Sequence, residues 1–255
     1  MDDRQPILND VRVAMAFLTR IPVSHGSRVD MGRVARWFPT VGLMIGGASA
    51  GVLAITRPLF GDRMGAALAV LFGVLVTGGF HHDGLADSAD GIVGGWTPEQ
   101  RRAILKDSRH GTYGVLALVL QIVLQVTALG DMPTSAAVAG VVLMHSVGRA
   151  SAVSVMKSGE GITEGLGANY VAGVSRGDQS IALVSALFFA VAVAGPLAPI
   201  TLVAAVLVAQ VVVRYAIRRI GGIVGDVLGA TEQFGETTVL LVALACVQVT
   251  GGFGW

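Results

Sequence analysis

Long apolar runs, separated by short polar stretches, set the pattern of this chain. Seven runs are candidates for helices that cross a membrane: about 38–56, 64–80, 113–130, 134–156, 181–195, 199–217 and 237–253. A hydrocarbon core about 30 Å thick takes roughly 20 apolar residues as α-helix, and backbone in lipid must satisfy its own hydrogen bonds. The runs 181–195 and 199–217 would make one long kinked element if joined. They are broken at Pro196 and Pro199, and because the joint run is almost 40 residues two spans are predicted. Residues 6–21 read differently. Ile7, Leu8, Val11, Ala14, Phe17 and Leu18 recur at helical spacing with Arg4, Arg12 and Arg20 among them. That pattern predicts an amphipathic helix, too short and too charged to span, lying at the interface and ended by Ile21-Pro22. The fold class is all-α: a polytopic integral membrane helix bundle of about seven transmembrane helices plus an N-terminal interfacial helix, as a single domain over 1–255.

Composition agrees with a membrane bundle. The chain is 53% hydrophobic and 14% charged, against about 25% charged in a soluble domain. Many of its 35 glycines fall inside the apolar runs, where small residues let helix backbones approach in lipid. A net charge of +1 leaves no electrostatic footprint for nucleic acid. Cys246 is the single cysteine, so no intrachain disulfide is expected. The chain opens on Asp2-Asp3 with no short apolar core and cleavage site after it, so no cleavable signal is expected.

Lys and Arg set the orientation. With the N-terminus in the cytoplasm, fifteen of the 18 fall on that side, in 1–37, 81–112, 157–180 and 214–236. The prediction is therefore N-in and C-out. Residues 1–37 become a cytoplasmic or interfacial segment, with 81–112 and 214–236 as active-site loops on the cytosolic face. A transporter would spread its polar residues along a path near the midplane. Here they gather on one side, which favours an enzyme.

Three polar clusters carry candidate chemistry. In Gly79-Phe-His-His-Asp-Gly-Leu-Ala-Asp-Ser-Ala-Asp-Gly91, helical geometry puts Asp83, Asp87 and Asp90 within about a 60° arc. Three like charges on one face call for a cation between them, and Mg²⁺ is the usual one where phosphates are handled. The plainer alternative is a helix cap with its neighbours solvated. The second cluster is Lys106-Asp-Ser-Arg-His-Gly-Thr-Tyr-Gly114. It follows Thr97-Pro98-Glu99, a helix start. Lys106 and Arg109, three apart, are candidates for binding phosphate oxygens, against the alternative of ordinary positive-inside charge. In the third cluster, glycines flank Asp226, a candidate to complete the metal site. Glu232 and Glu236 either assist it or cap the last span. Arg149 lies inside an apolar run four residues after His145, placed to reach a substrate phosphate or to pair with a carboxylate. His81 and His82 precede Asp83, and a histidine there is a candidate general base, against the alternative of a structural or metal-shell role. No His-Glu-x-x-His pattern or cysteine ligand points to zinc. The residues describe a membrane-embedded, Mg²⁺-dependent enzyme acting on a phosphate-bearing substrate.

Together the first two clusters and Gly225-Asp-Val-Leu-Gly-Ala230 resemble the cobalamin synthase family, the adenosylcobinamide-GDP ribazoletransferases. Phe17-Leu-Thr-Arg-Ile-Pro22 and Phe38-Pro-Thr-Val-Gly-Leu-Met-Ile-Gly46 are similar to its N-terminal signature, so the resemblance covers nearly the whole chain in order. It departs at Gln233, where the family pattern often has an acidic residue. The resemblance implies a Mg²⁺-dependent transferase of the cell (inner) membrane, acting late in adenosylcobalamin (vitamin B12) biosynthesis. In that reaction α-ribazole or α-ribazole 5′-phosphate attacks adenosylcobinamide-GDP and GMP leaves. On this reading Asp83, Asp87, Asp90 and Asp226 hold Mg²⁺ against the pyrophosphate. Lys106 and Arg109 neutralise departing GMP, Arg149 contacts substrate, and His82 or a carboxylate is the base. The implied partners are the two substrates and the lipid bilayer, with room for a homo-oligomer or for association with other cobalamin-pathway enzymes. Two other readings stand beside it. A CDP-alcohol phosphotransferase of phospholipid synthesis shares the Asp-x-x-Asp-Gly of Asp87–Gly91, but the Ala-Arg that should follow is absent and the remaining acidic spacing precedes that motif. A cation transporter would carry its acidic residues at the midplane.

Overall fold

The computed structural model describes residues 6–26, 29–107, 109–162 and 166–253. Asp2, Asp3, Arg4, Arg28 and Ser108, named above, lie outside them. The described chain folds as helices: α1 (Pro6–Leu18), α2 (Met31–Ala35), α3 (Phe38–Phe60), α4 (Asp62–Thr77), α5 (Phe80–Ser88), α6 (Pro98–Ile104), α7 (Thr112–Gly130), α8 (Thr134–Val155), α9 (Leu166–Gly173), α10 (Arg176–Ala194), α11 (Pro199–Ile220) and α12 (Gly225–Thr250). Six helical stretches are long and apolar enough to cross a membrane by themselves. α4 with α5 makes a seventh only as a pair bent by 93°. The all-α polytopic bundle is thus what the apolar runs predict.

The bend has a local cause. Gly78 and Gly79 both take left-handed backbone, with φ of 65° and 67°, a conformation that costs a residue with a Cβ. A Cβ on Gly78 would also run into the Arg20 side chain. The span predicted over 64–80 therefore stops at Thr77, and α5 turns away across the end of the bundle.

α8 is the centre. Of its most apolar stretch 94% is buried, against 28% for α7, 28% for α10 and 33% for α11. α3, α10, α11 and α12 pack around it. The outer helices expose Leu116, Leu120, Val184, Phe188, Leu207 and Val211, an apolar belt whose natural solvent is lipid. The crossings run through glycine. A Cβ on Gly235 of α12 would stand 3.2 Å from the Gly148 Cα of α8. α1 packs on α2 and α3, burying Val13, Ala14 and Leu18 while Ile7 and Leu8 stay exposed.

Two expected loops are corrected. The segment 214–236 is helical except at the turn 221–224, because α11 runs to Ile220 and α12 begins at Gly225 rather than at 237. Glu232, Gln233 and Glu236 depress the hydropathy of this stretch, yet all three are buried inside the bundle. The segment 81–112 holds α5, a π-helical turn at Ala89–Val93, and α6. The expected start of α6 is present: the Thr97 hydroxyl accepts from the Gln100 N–H at 3.3 Å, with Pro98 at the first turn. α10 and α11 are separate helices joined by a single 3₁₀ turn at Gly195–Leu197.

Candidate active site at the crossing of two helices

α5 lies directly on the first turns of α12. A Cβ on Gly84 would stand 2.9 Å from the Asp226 carbonyl oxygen, 3.1 Å from its Cα and 3.2 Å from the Gly229 Cα. Only paired glycines allow so close a backbone approach. The crossing brings carboxylates from distant parts of the sequence together. Asp83 is exposed, while Asp87 and Asp226 are half-buried. The charge of Asp226 is opposed by those of Asp87 and Asp83. Among the described residues no Lys or Arg pairs with any of the three. The basic group beside them is His110, whose Nδ1 lies 3.7 Å from an Asp87 oxygen. Oxygen donors of like charge without a paired base suit a hard divalent cation. No three His, Cys, Asp or Glu side chains among the described residues, however, are already closed around one point.

Asp90 departs from its expected role. Its two carboxylate oxygens accept the backbone N–H groups of Gly111 at 2.7 Å and Gly114 at 2.9 Å. The residue is 7% exposed and caps α7 from another helix. Ser88 and Ala89 keep α-helical backbone, so Asp90 stays near Asp87 and its charge acts on it, but its oxygens are already taken up by the Gly111 and Gly114 N–H groups. Gly111 and Gly114 are required because a Cβ at either position would meet the Asp90 carboxylate. Asp90→Ala is expected to lower thermal stability by about 2 kcal/mol, two charge-assisted bonds to buried N–H groups being lost. A melting curve of the purified variant checks this, and an unshifted midpoint would refute the capping role.

Lys106 and Arg109 do not share a helix face, since α6 ends at Ile104. Arg109 forms a bidentate exposed pair with Asp107, at 2.6 and 2.9 Å, and holds that carboxyl down at about 2. Such an exposed pair is weak and easily exchanged for another anion. Arg101, which read as ordinary positive-inside charge, is buried and donates from Nε to the Ile92 carbonyl at 3.1 Å.

A second polar centre lies about 9 to 15 Å further along α12 than Asp226, at Glu232 and Glu236, from the rise per residue. Arg149 of α8 is 1% exposed, with Nη1 2.9 Å from Glu232 and 3.2 Å from Glu236. His145 Nδ1 lies 2.6 Å from Glu236. His81 Nδ1 lies 3.2 Å from Glu232. Gln125 donates to Glu236 at 3.3 Å and Gln233 to Glu232 at 2.8 Å. Of the two alternatives for Arg149 the structure shows pairing with carboxylates through Nη1, while Nε has no partner among the described residues and the side chain also lines a cavity with Phe80 and Tyr170. His82 is also corrected as the candidate base. It faces a small cavity, about 10 Å³, that it lines with Gln125, His145 and Glu236, and both its ring nitrogens lack a hydrogen-bond partner among the described residues. His110, Glu232 and Glu236 are the residues whose roles the sequence did not disclose. Only the buried Arg149 signalled that acidic partners were needed.

Comparison with known proteins places these features. The family described as Cobalamin-5-phosphate synthase matches residues 10–244. The chain is 36% identical over 250 residues to the adenosylcobinamide-GDP ribazoletransferase of Shewanella pealeana, covering 94% of this chain and 96% of the relative. It is 37% identical over 245 residues to the protein of that name from Bradyrhizobium diazoefficiens, covering 94% of each. With that of Vibrio cholerae it shares 34% over 249 residues, covering 92% and 93%. No solved structure matches the chain.

Proposed function

Because the chain belongs to the cobalamin-5-phosphate synthase family, we propose that it joins adenosylcobinamide-GDP to α-ribazole or α-ribazole 5′-phosphate with release of GMP, and that Asp83, Asp87 and Asp226 form the centre of this transfer. The observation that carries the assignment of the centre is the Gly84–Gly229 crossing, which gathers three carboxylates without a paired Lys or Arg. With the family established, the phospholipid-synthesis and cation-transport readings fall away.

In the proposed reaction a ribose hydroxyl of the ribazole attacks the phosphorus that carries the corrinoid side chain. The new phosphorus–oxygen bond forms as the bond to GMP breaks. Asp83, Asp87 and Asp226 are the residues to hold Mg²⁺, which when bound neutralises the pyrophosphate oxygens and polarises the bond that breaks. His110 takes the hydroxyl proton at a ring nitrogen, and Asp87, 3.7 Å away, stabilises the resulting imidazolium. Lys106 forms no ion pair among the described residues and Arg109 exchanges Asp107 for phosphate, so both meet the charge of departing GMP. Asp90 acts by fixing the start of α7, and through it the segment that bears His110. The bias of Lys and Arg supports N-in topology in the inner membrane with this centre on the cytoplasmic face.

The test is an assay of detergent-purified protein with Mg²⁺, adenosylcobinamide-GDP and α-ribazole 5′-phosphate, followed by mass. The joined corrinoid and GMP are expected, and EDTA should abolish both until Mg²⁺ is restored. Turnover unaffected by EDTA would overturn the metal assignment while leaving the reaction.

A further inference from the structure

The Phe17–Pro22 stretch plays no part in the chemistry above, yet it walls a groove. Between α1, the chain leading into α2 and the α4–α5 elbow lies about 940 Å³ of free space, counting the part open to solvent. Phe17, Phe80 and Tyr170 line one side. Their rings pack on one another, Phe17 to Phe80 at 5.1 Å and Phe17 to Tyr170 at 4.8 Å between centroids. Phe80 is 45% exposed, so this ring wall offers a face as well as an interior. Arg20 and His25 also line the groove. Arg20 is exposed and forms no ion pair among the described residues. Its backbone N–H donates to the Val76 carbonyl at 2.7 Å, which pins the α1 exit to the elbow.

We propose that this groove is the binding site for the ribazole substrate, its methylated benzimidazole base stacked on the Phe17–Phe80 wall and its 5′-phosphate on Arg20. The inference rests on the transferase reading and names the subsite of one of its two substrates. Three observations favour this occupant. The aromatic face suits a planar heterocycle. The Thr19 and Thr77 hydroxyls donate to carbonyls of their own helices, at 2.7 and 2.9 Å, which suits a base that has no carbonyl or amino edge to read. The groove and the carboxylate centre share α5: Phe80 lines the groove, and Asp83 is three residues on, a neighbour at helical spacing. A base stacked on Phe80 therefore brings its ribose toward Asp83, where the attacking hydroxyl is needed, and the unpaired Arg20 supplies the charge that distinguishes the phosphorylated substrate.

Saturation kinetics, with one substrate varied at a time, test this on detergent-purified protein. Phe80→Ala is expected to raise KM for both α-ribazole and its 5′-phosphate about tenfold, from the loss of stacking, with KM for adenosylcobinamide-GDP unchanged. Arg20→Gln should raise KM about tenfold for the 5′-phosphate alone, and Arg20→Lys should restore part of it. A rise in KM for adenosylcobinamide-GDP would instead put the guanine or the corrinoid in the groove, and unchanged KM values would leave it to lipid. Either result overturns the proposal. If Phe80→Ala loses its melting transition, the Arg20 variants decide. If the wild-type protein makes no corrinoid product, the transferase reading falls. Equilibrium dialysis of α-ribazole 5′-phosphate then judges the groove separately: weaker retention by Arg20→Gln supports it, and equal retention refutes it.

Discussion

Asp87→Asn is expected to abolish turnover, with kcat down by at least about 10²–10³-fold, while the protein still inserts, purifies and melts at or above the wild-type temperature. The two halves of this expectation have one cause. Asp87 is half-buried beside Asp83 and in the field of Asp226, and its nearest basic partner is His110 at 3.7 Å. An amide removes mutual repulsion from the folded state, so stability does not fall. The same change takes away a carboxylate needed to hold a cation and to steady a protonated His110. Asp90→Ala makes the contrast, because that carboxylate is already satisfied by two backbone N–H groups and its loss is paid in stability. Measuring kcat and the melting midpoint for both variants separates a site held under electrostatic strain from a structural cap. Wild-type kcat in Asp87→Asn would sink the assignment of the centre.

The division between legible and hidden features follows the range of the forces involved. The spans over 38–56, 113–130, 134–156 and 199–217 were readable because hydropathy is a local sum, and α3, α7, α8 and α11 lie where it puts them. Asp83 and Asp87 were readable because α-helical spacing is local too. The reading failed where a non-local partner reversed a local signal. Residues 225–236 look like a polar loop, but Gln121 and Gln125 of α7 and His145 and Arg149 of α8 supply partners that let Glu232, Gln233 and Glu236 enter the bundle. Asp90 follows Asp83 and Asp87 at helical spacing, but the N–H groups at the start of α7 take up its carboxylate, and spacing within α5 cannot show that. His81 and His82 are adjacent and point about 100° apart on α5. Which of them faces the bundle cavity depends on where α7, α8 and α12 stand. His110 reaches Asp87 across two intervening elements, the π-turn at Ala89–Val93 and α6, and no spacing rule finds such a pair.

Arg149→Leu is expected to be the most destabilising single substitution in the bundle, at about 3–5 kcal/mol. The leucine itself suits an apolar helix; the damage comes from what it leaves behind. Glu232 is fully buried and Glu236 2% exposed, and Arg149 is the one guanidinium between them, at 2.9 and 3.2 Å. Without it, two carboxylates one helical turn apart on α12 face each other in a medium of low dielectric. Among the described residues His81, His82 and His145 are their remaining basic neighbours. The Gly148–Gly235 crossing prevents escape, since α8 and α12 are in backbone contact there and cannot admit water without separating. A second substitution tests this cause. Glu236→Gln added to Arg149→Leu removes one stranded charge and leaves Glu232 with His81 and the Gln233 amide. The double variant should therefore melt above Arg149→Leu, against the additive expectation for two damaging changes. If the double variant melts lower than either single one, the network is held by packing and hydrogen-bond geometry instead of charge balance, and the account of Arg149 as the counter-ion of α12 fails.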